Sequence, residues 1–163
     1  MTRHALSILF CLLSASSAFA QTDRPLEGVW KVTEEVLPGP NPVTIASQPS
    51  LVIFTQGYYS ELYVMRGQVR TPVVPARDQQ NFTDADKISR FEQWRPVVAN
   101  SGTYEINGST LTRRAIVAKN LELMTTRPMH VQELRVEDRN TIWLIPIAAQ
   151  AANEPRIKLT RLE

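Results

Sequence analysis

Short segments rich in β-branched and aromatic residues, each ended by turn-forming residues, follow one another along most of this sequence. Gly57, the pair Asn107-Gly108 and the polar stretch 137–140 each separate two such segments by the few residues that a hairpin turn needs. The pattern therefore predicts an antiparallel all-β fold. The predicted strands cover residues 26–36, 51–56, 58–65, 102–107, 110–118, 129–136, 141–147 and 156–162.

Eight antiparallel strands in hairpin order close most simply into an up-and-down barrel, because closure leaves no exposed sheet edge. A sandwich of two sheets is the competing architecture. With Asn107 and Gly108 as the two turn residues, Glu105 would pair with Thr110 across the hairpin.

One helix is predicted to interrupt the strands, over residues 84–95. Thr83 and Asp86 resemble a capping box at its start, and the helix stops before Pro96. Apolar residues recur every third position along it and form a narrow stripe, which we expect to cover another surface of the protein. These residues are Ile88, Phe91 and Trp94.

The first twenty residues have the organisation of a secretory signal. A basic start at Arg3 precedes the apolar run 5–13, and Ala18-Phe19-Ala20 is a small-residue cleavage site. The apolar run is shorter than the roughly 20 residues that a membrane-spanning helix needs. We therefore expect export to the periplasm or the exterior, cleavage after Ala20 and a single domain over residues 21–163.

Charge and residue usage exclude several classes of function. Lys and Arg number 18 against 16 Asp and Glu, a formal charge of +2, which disfavours a nucleic-acid partner. The single cysteine, Cys11, lies in the predicted signal, so the exported domain has no thiol chemistry or disulfide. Of the two histidines only His130 remains after cleavage, too few for a three-histidine zinc site. We predict no cofactor, no metal and no enzymatic activity.

Short motifs along nearly the whole exported part of the chain resemble a known family. Gly28-Val29-Trp30 matches the G-x-W motif of lipocalins, and the full set resembles a group of secreted bacterial lipocalin-like proteins of mostly unassigned function. The resemblance implies an eight-stranded barrel that can enclose a cavity, without implying a particular ligand. The other motifs are Gln48-Pro49-Ser50, Gly57-Tyr58-Tyr59-Ser60, Ser101-Gly102-Thr103-Tyr104-Glu105, Val117-Ala118-Lys119-Asn120, Ile142-Trp143-Leu144 and Leu159-Thr160-Arg161.

The same resemblance implies one structural contact and shows two departures. The first and last strands become neighbours in the closed barrel, so Trp30 is expected to pack under Arg161 in a cation–π contact. Arg113-Arg114 stands where many relatives have a His-His pair, which argues against imidazole chemistry there. Leu121 follows Lys119-Asn120 where similar proteins commonly have proline.

Cationic residues on the strand at 110–118 are the first candidates for ligand binding. Neighbouring residues in a strand point to opposite faces, so only one of Arg113 and Arg114 can point inward. We take Arg114 as that residue, with Lys119 close to it, because an inward Arg can bind a carboxylate or phosphate through two hydrogen bonds. A structural or surface role for these cations is the alternative.

Tyrosines and acids form the second set of candidates. The strand at 58–65 has one face with Tyr59, Glu61, Tyr63 and Met65, and one with Tyr58, Ser60, Leu62 and Val64. The second face is more apolar, so burial alone would turn it inward, whereas a ligand-binding interior would favour the first. The sequence leaves the two alternatives open.

The predicted function is binding of a small, mostly apolar or amphipathic molecule inside a secreted or periplasmic lipocalin-like barrel. The alternative is a protein-interaction module, such as an envelope inhibitor or assembly factor, with a barrel filled by side chains. A cavity of about 300 Å³ or more would favour binding. The predicted ligand-binding residues are Tyr59, Tyr63, Tyr104, Glu105, Arg114 and Lys119.

Overall fold

The computed structural model describes residues 26–65, 81–126, 129–147 and 153–163, so the predicted signal at 1–20 lies outside the described residues. Within these ranges the chain forms nine β-strands, one α-helix and a 3₁₀ turn at Leu121–Leu123. The helix is α1 (Asp84–Trp94), and the strands are β1 (Gly28–Leu37), β2 (Val43–Ala46), β3 (Ser50–Thr55), β4 (Tyr58–Val64), β5 (Val97–Asn107), β6 (Thr110–Ala118), β7 (His130–Asp138), β8 (Thr141–Pro146) and β9 (Arg156–Arg161).

Eight of these strands form a closed antiparallel barrel. From β3 to β9 each strand pairs with the next, and β1 closes the ring by pairing with both β3 and β9. The predicted up-and-down barrel is confirmed. Strand β2 was not predicted from the sequence. It lies beside β1 at Glu34–Leu37, where β3 no longer pairs with β1.

The two ends of the barrel differ in their connections. Two-residue turns at Gln56-Gly57, Gly108-Ser109 and Arg139-Asn140 close one end, which we call the turn end. Longer connections join the strands at the opposite end, which we call the loop end. Helix α1 belongs to one of these longer connections, between β4 and β5.

Large side chains fill the turn end. The Trp30 side chain is fully buried, and its indole N–H donates a hydrogen bond to the carbonyl of Leu26 at 2.8 Å. The Arg161 guanidinium carbon lies 4.1 Å from the centroid of the Trp30 ring, and the two residues are paired across β1 and β9. The predicted cation–π contact is therefore confirmed, and such contacts contribute about 0.5–2 kcal/mol.

Helix α1 begins and ends close to the predicted positions. The Thr83 side chain accepts a hydrogen bond from the Asp86 N–H, and the Asp86 carboxylate accepts one from the Thr83 N–H, which completes the capping box. The expectation that the apolar stripe covers another surface is wrong: Ile88, Phe91 and Trp94 are all more than half exposed. In the described part of the chain, no helix has the length and apolar character needed to cross a bilayer.

The β5–β6 hairpin has a different register from the predicted one. Gly108 and Ser109 form the turn, Asn107 pairs with Thr110, and Glu105 pairs with Thr112 instead of Thr110. The pairing also shifts by one residue between Ser101 and Gly102, which is a β-bulge.

Candidate functional site

A row of polar side chains on β4 and β6 points into the barrel. On β4, Tyr59, Glu61 and Tyr63 are buried while Tyr58 and Leu62 are more than half exposed, so the less apolar face lies inside. Of the two alternatives for this strand, the structure shows the face that a ligand-binding interior favours.

The central interaction of this row is an ion pair between β4 and β6. Arg113 Nη1 donates a hydrogen bond to Glu61 Oε2 at 2.6 Å, and the side chains are only 2% and 5% exposed. The Arg113 guanidinium carbon also lies 5.2 Å from the centroid of the Tyr59 ring. Arg113 Nε is fully buried and has no hydrogen-bond acceptor among the described residues.

Two buried amides complete the surroundings of the pair. Asn100 Nδ2, on β5, donates a hydrogen bond to Glu61 Oε1 at 2.6 Å. Gln132 Oε1, on β7, accepts one from Arg113 Nη2 at 2.8 Å. Four successive strands, β4 to β7, therefore each supply one member of a hydrogen-bonded cluster, which we call the interior polar cluster: Glu61, Asn100, Arg113 and Gln132.

His130 links the interior polar cluster to the loop end. Arg113 Nη2 lies 2.8 Å from His130 Nδ1, and because a guanidinium can only donate, Nδ1 must accept. The imidazole proton is then on Nε2, which donates to Glu154 Oε2 at 2.8 Å. The side chains of His130 and Glu154 are 31% and 39% exposed, so this chain of hydrogen bonds reaches the protein surface.

A cavity of about 190 Å³ lies against the interior polar cluster, toward the loop end. Apolar side chains complete its wall, because Met65, Val98, Leu123 and Ile157 line it together with the polar groups. Tyr59, Tyr63, His130 and Glu154 also line it. The cavity thus joins an apolar wall to a small set of fixed hydrogen-bonding groups, as ligand sites generally do.

Burial controls the protonation of the groups that line the cavity. It raises the pKa of Tyr59 to about 12, with the nearby Arg113 charge opposing the shift and Glu61 adding to it. Burial and then Glu61 also raise the pKa of Tyr63 above its ordinary value of 10.0. For Arg113, burial alone would lower the pKa, but Glu61 and Tyr59 raise it overall, so the guanidinium stays charged.

The raised tyrosine pKa values predict a loss of stability at high pH. Unfolded tyrosines ionise near pH 10, whereas folded Tyr59 keeps its proton to about pH 12, so the unfolded state loses protons first as the pH rises. Between the unfolded and folded pKa values of each such tyrosine, the free energy of unfolding should fall by about 1.4 kcal/mol per pH unit. Thermal melts from pH 8 to pH 11.5 measure this loss.

The variant Tyr59→Phe/Tyr63→Phe is the control for this prediction, because it lacks both hydroxyls. Its melting temperature should fall less steeply above pH 10 than that of the original protein. Equal slopes would contradict the role given to the two tyrosines.

Three of the six predicted ligand-binding residues point into the barrel. Tyr59 and Tyr63 line the cavity. Tyr104 is buried closer to the turn end, where its ring meets Phe54 edge-on with centroids 5.2 Å apart, and it is not part of the cavity wall.

The other three lie on the outside of the barrel. The inward placement of Arg114 is wrong: Arg113 pairs with inward Tyr104, whereas Arg114 pairs with Thr103 and is exposed. Glu105 is exposed because it follows the inward Tyr104 on β5, and neighbouring residues in a strand point to opposite faces. Lys119 Nζ donates to the carbonyls of Trp94, Arg95 and Val97, so it holds the end of α1 against β5 instead of lining the cavity.

The sequence did carry a signal for the inward arginine. Leu111, Arg113 and Ala115 alternate with polar or charged residues on β6, so the buried Leu111 places Arg113 on the inner face by period two. Asn100 and Gln132 were not predicted, and the partner of His130 was not predicted either. Their positions depend on the register of β5, β6 and β7, which the sequence did not give.

Among the described residues, no three His, Cys, Asp or Glu side chains come together in a way that could hold a metal ion. A second depression of about 300 Å³ is more open and shares Glu154 with the cavity. It lies against the loop after β1 and the end of β8, and none of the interior polar cluster lines it. The cavity beside Arg113 is therefore the candidate site.

Comparison with solved structures finds similar folds at very low sequence identity. A lipocalin-like protein from Bacteroides uniformis has a TM-score of 0.47 and 10% identity, over 85% of this chain and 99% of that chain. An uncharacterized protein from Bacteroides eggerthii has a TM-score of 0.45 and 6% identity, over 83% and 98%. No protein-family model and no curated protein matches this chain. Membership of the secreted lipocalin-like group therefore stays a prediction.

Proposed function

We propose that this protein is an exported binding protein that holds one small, mostly apolar molecule in the cavity beside the interior polar cluster, without catalysing a reaction. The observation that carries the proposal is the cavity of about 190 Å³, where apolar side chains face a buried Arg113–Glu61 pair. A molecule bound there would gain from desolvation at the apolar wall and would be oriented by the polar groups.

The volume of the cavity limits the size of this molecule. Sites for drug-sized ligands enclose about 300–1,000 Å³. At about 190 Å³ the cavity lies below this range, and also below the volume at which the sequence analysis expected binding to be favoured. An apolar cavity of about 150 Å³ accepts a benzene-sized molecule. The ligand that fits is therefore about one ring in size, with a small polar substituent.

The buried charges also support a binding function. Removing a carboxylate and a guanidinium from water costs several kcal/mol per ion, and well-packed apolar residues are often at least as stabilising. Stability alone therefore does not require Glu61 and Arg113 in the middle of the barrel. Selection for a polar group next to the cavity would account for them.

Export rests on the first twenty residues. The basic start, the apolar run 5–13 and the Ala18-Phe19-Ala20 site supply the pattern of a cleavable signal. The part of the chain after Ala20 contains no cysteine, so it can fold in an oxidising compartment without forming a wrong disulfide.

A protein-interaction module is the second candidate, and helix α1 favours it. Ile88, Phe91 and Trp94 are 63%, 64% and 55% exposed on one side of this helix. An exposed apolar stripe of this kind is a common feature of protein contact surfaces.

Native mass spectrometry of the protein purified from the cells that produce it tests the binding function. We expect one small molecule per chain, released and identified after denaturing extraction. The variant Ala115→Met, which fills part of the cavity, should lose this molecule, whereas Ile116→Met on the exposed side of β6 should keep it. If each of the three proteins has only the mass of its own chain, with no bound molecule, the interaction module is favoured.

A further inference from the structure

We infer that the ligand of this cavity is electrically neutral and carries both a hydrogen-bond donor and a hydrogen-bond acceptor, as an amide does. The inference rests on the proposed binding function and specifies the chemistry of the same site. It depends on how the Arg113–Glu61 pair orients the two buried amides around it.

The charges next to the cavity are already used within the protein. Arg113 and Glu61 neutralise each other at 2.6 Å, and Arg113 also donates to Gln132 and His130. His130 in turn donates to the Glu154 carboxylate. Among the described residues that line the cavity, an anionic ligand would find two carboxylates, Glu61 and Glu154, and no cation except Arg113, which Glu61 already neutralises. A cationic ligand would have to compete with Arg113 for Glu61 or with His130 for Glu154. Either charged ligand would lose its hydration without an unshared charged partner at the interior polar cluster.

The ion pair fixes which end of each amide is left for a ligand. Glu61 can only accept, so Asn100 must present Nδ2 to it at 2.6 Å, and Asn100 Oδ1 is left as an acceptor. Arg113 can only donate, so Gln132 must present Oε1 to it, and Gln132 Nε2 is left as a donor. Flipping Asn100 would place its Oδ1 against Glu61 Oε1, which are both acceptors. Flipping Gln132 would place its Nε2 against Arg113 Nη2, which are both donors.

The two remaining amide ends are available for binding. Both Asn100 and Gln132 line the cavity, and neither Asn100 Oδ1 nor Gln132 Nε2 has a hydrogen-bond partner among the described residues. Among the described residues, the fully buried side-chain nitrogen and oxygen atoms without a hydrogen-bond partner are Arg90 Nε and Arg113 Nε. Asn100 Oδ1 and Gln132 Nε2 also lack a partner in this part of the chain but are not among these buried atoms, so both keep some accessible surface. A ligand N–H can donate to Asn100 Oδ1, and a ligand carbonyl can accept from Gln132 Nε2.

The tyrosine hydroxyls do not change this polarity. Tyr59 and Tyr63 line the cavity, and a phenol can donate or accept a hydrogen bond. Both are neutral at physiological pH, because an ordinary tyrosine already has a pKa near 10 and burial raises their pKa values further. They therefore tolerate several ligands, whereas Asn100 and Gln132 distinguish between them.

Four ligands of nearly equal shape test the inference: benzamide, acetophenone, benzoate and benzamidinium. Benzamide is neutral with a donor and an acceptor, acetophenone lacks the donor, and the other two carry opposite charges. Dissociation constants from isothermal titration, or from ligand-observed NMR for weak binding, should show benzamide bound at least about tenfold more tightly than each of the others.

The outcomes separate this inference from the proposed function. Tightest binding by benzoate or benzamidinium, or equal binding by acetophenone, would overturn the inference and leave the cavity as a binding site. Failure of all four to bind, together with a ligand-free mass for the protein from its own cells, would overturn both.

A matched pair of variants tests the polarity directly. Gln132→Glu keeps an oxygen for Arg113 but replaces the free donor with an acceptor, so benzamide should bind at least about tenfold more weakly and benzamidinium more tightly. Arg114→Gln makes the same change in net charge on the outer face of the barrel and should leave the four constants unchanged. Unaltered benzamide binding in a folded Gln132→Glu protein would contradict the role of Gln132. The four-ligand comparison stands even if this variant fails to fold.

Discussion

Replacing Arg113 with methionine is expected to lower the free energy of unfolding by about 3–5 kcal/mol, the cost of leaving one member of a buried ion pair without its partner. Glu61, which is only 5% exposed in the original protein, would keep the hydrogen bond from Asn100 but would have no cation beside it. Urea unfolding followed by circular dichroism measures the loss. Arg114→Met on the outer face should change the same free energy by no more than about 0.5 kcal/mol.

A second substitution distinguishes an unpaired charge from a packing defect. The double variant Glu61→Leu/Arg113→Met removes both charges and should recover most of the lost stability, because apolar replacements of a buried pair are often neutral or stabilising. If the double variant is less stable than Arg113→Met alone, the loss arises from packing around β4 and β6 and not from the isolated carboxylate.

Replacing Gly102 with alanine is the second change with a large expected effect. A Cβ at this position would meet the backbone of Arg114 on the neighbouring strand, with its carbonyl carbon only 2.8 Å away. Because the obstacle is the main chain of β6, no side-chain rotation relieves it, and the strands must separate at the bulge. We expect a loss of about 3 kcal/mol in the free energy of unfolding, at the upper end of the usual cost of overpacking.

Gly108 supplies the comparison for this prediction. It has φ of +59° in the β5–β6 turn, and a Cβ there would meet no heavy atom within 4 Å. Asparagine tolerates this left-handed conformation, so Gly108→Asn should cost much less than Gly102→Ala. If Gly102→Ala lowers the free energy of unfolding as little as Gly108→Asn does, the bulge does not require glycine.

The strands were predictable because the signals that define them are local. Turn residues at Gly57 and Gly108 mark hairpins within a few residues of the observed ones, and period-two alternation gives the strands between them. The Trp30–Arg161 contact followed from the family resemblance once a closed barrel was assumed. By contrast, β2 has only four residues and they are mostly exposed, so it is too short for an alternation of apolar and polar residues to predict a strand.

The site was harder to predict because its members come from different strands. Counting apolar residues gives the wrong inner face of β4, since Glu61 is buried only because Arg113 and Asn100 neutralise and bind it. The prediction of Arg114 instead of Arg113 was wrong because Arg113, and not Arg114, shares the inner face of β6 with Leu111. The orientation of Asn100 and Gln132 required the paired registers of four strands, which no local pattern contains.

The junction of β1 with β9 has a consequence for the order of events in folding. The Thr33 and Thr160 hydroxyls lie 3.2 Å apart there but are 127 residues apart in sequence. Hairpins form within microseconds, whereas contacts over such distances are slow because the chain must first lose the entropy of a very long loop. We therefore expect water to reach Glu61 and Arg113 while the hairpins assemble, and the two charges to lose their hydration only when the ring closes.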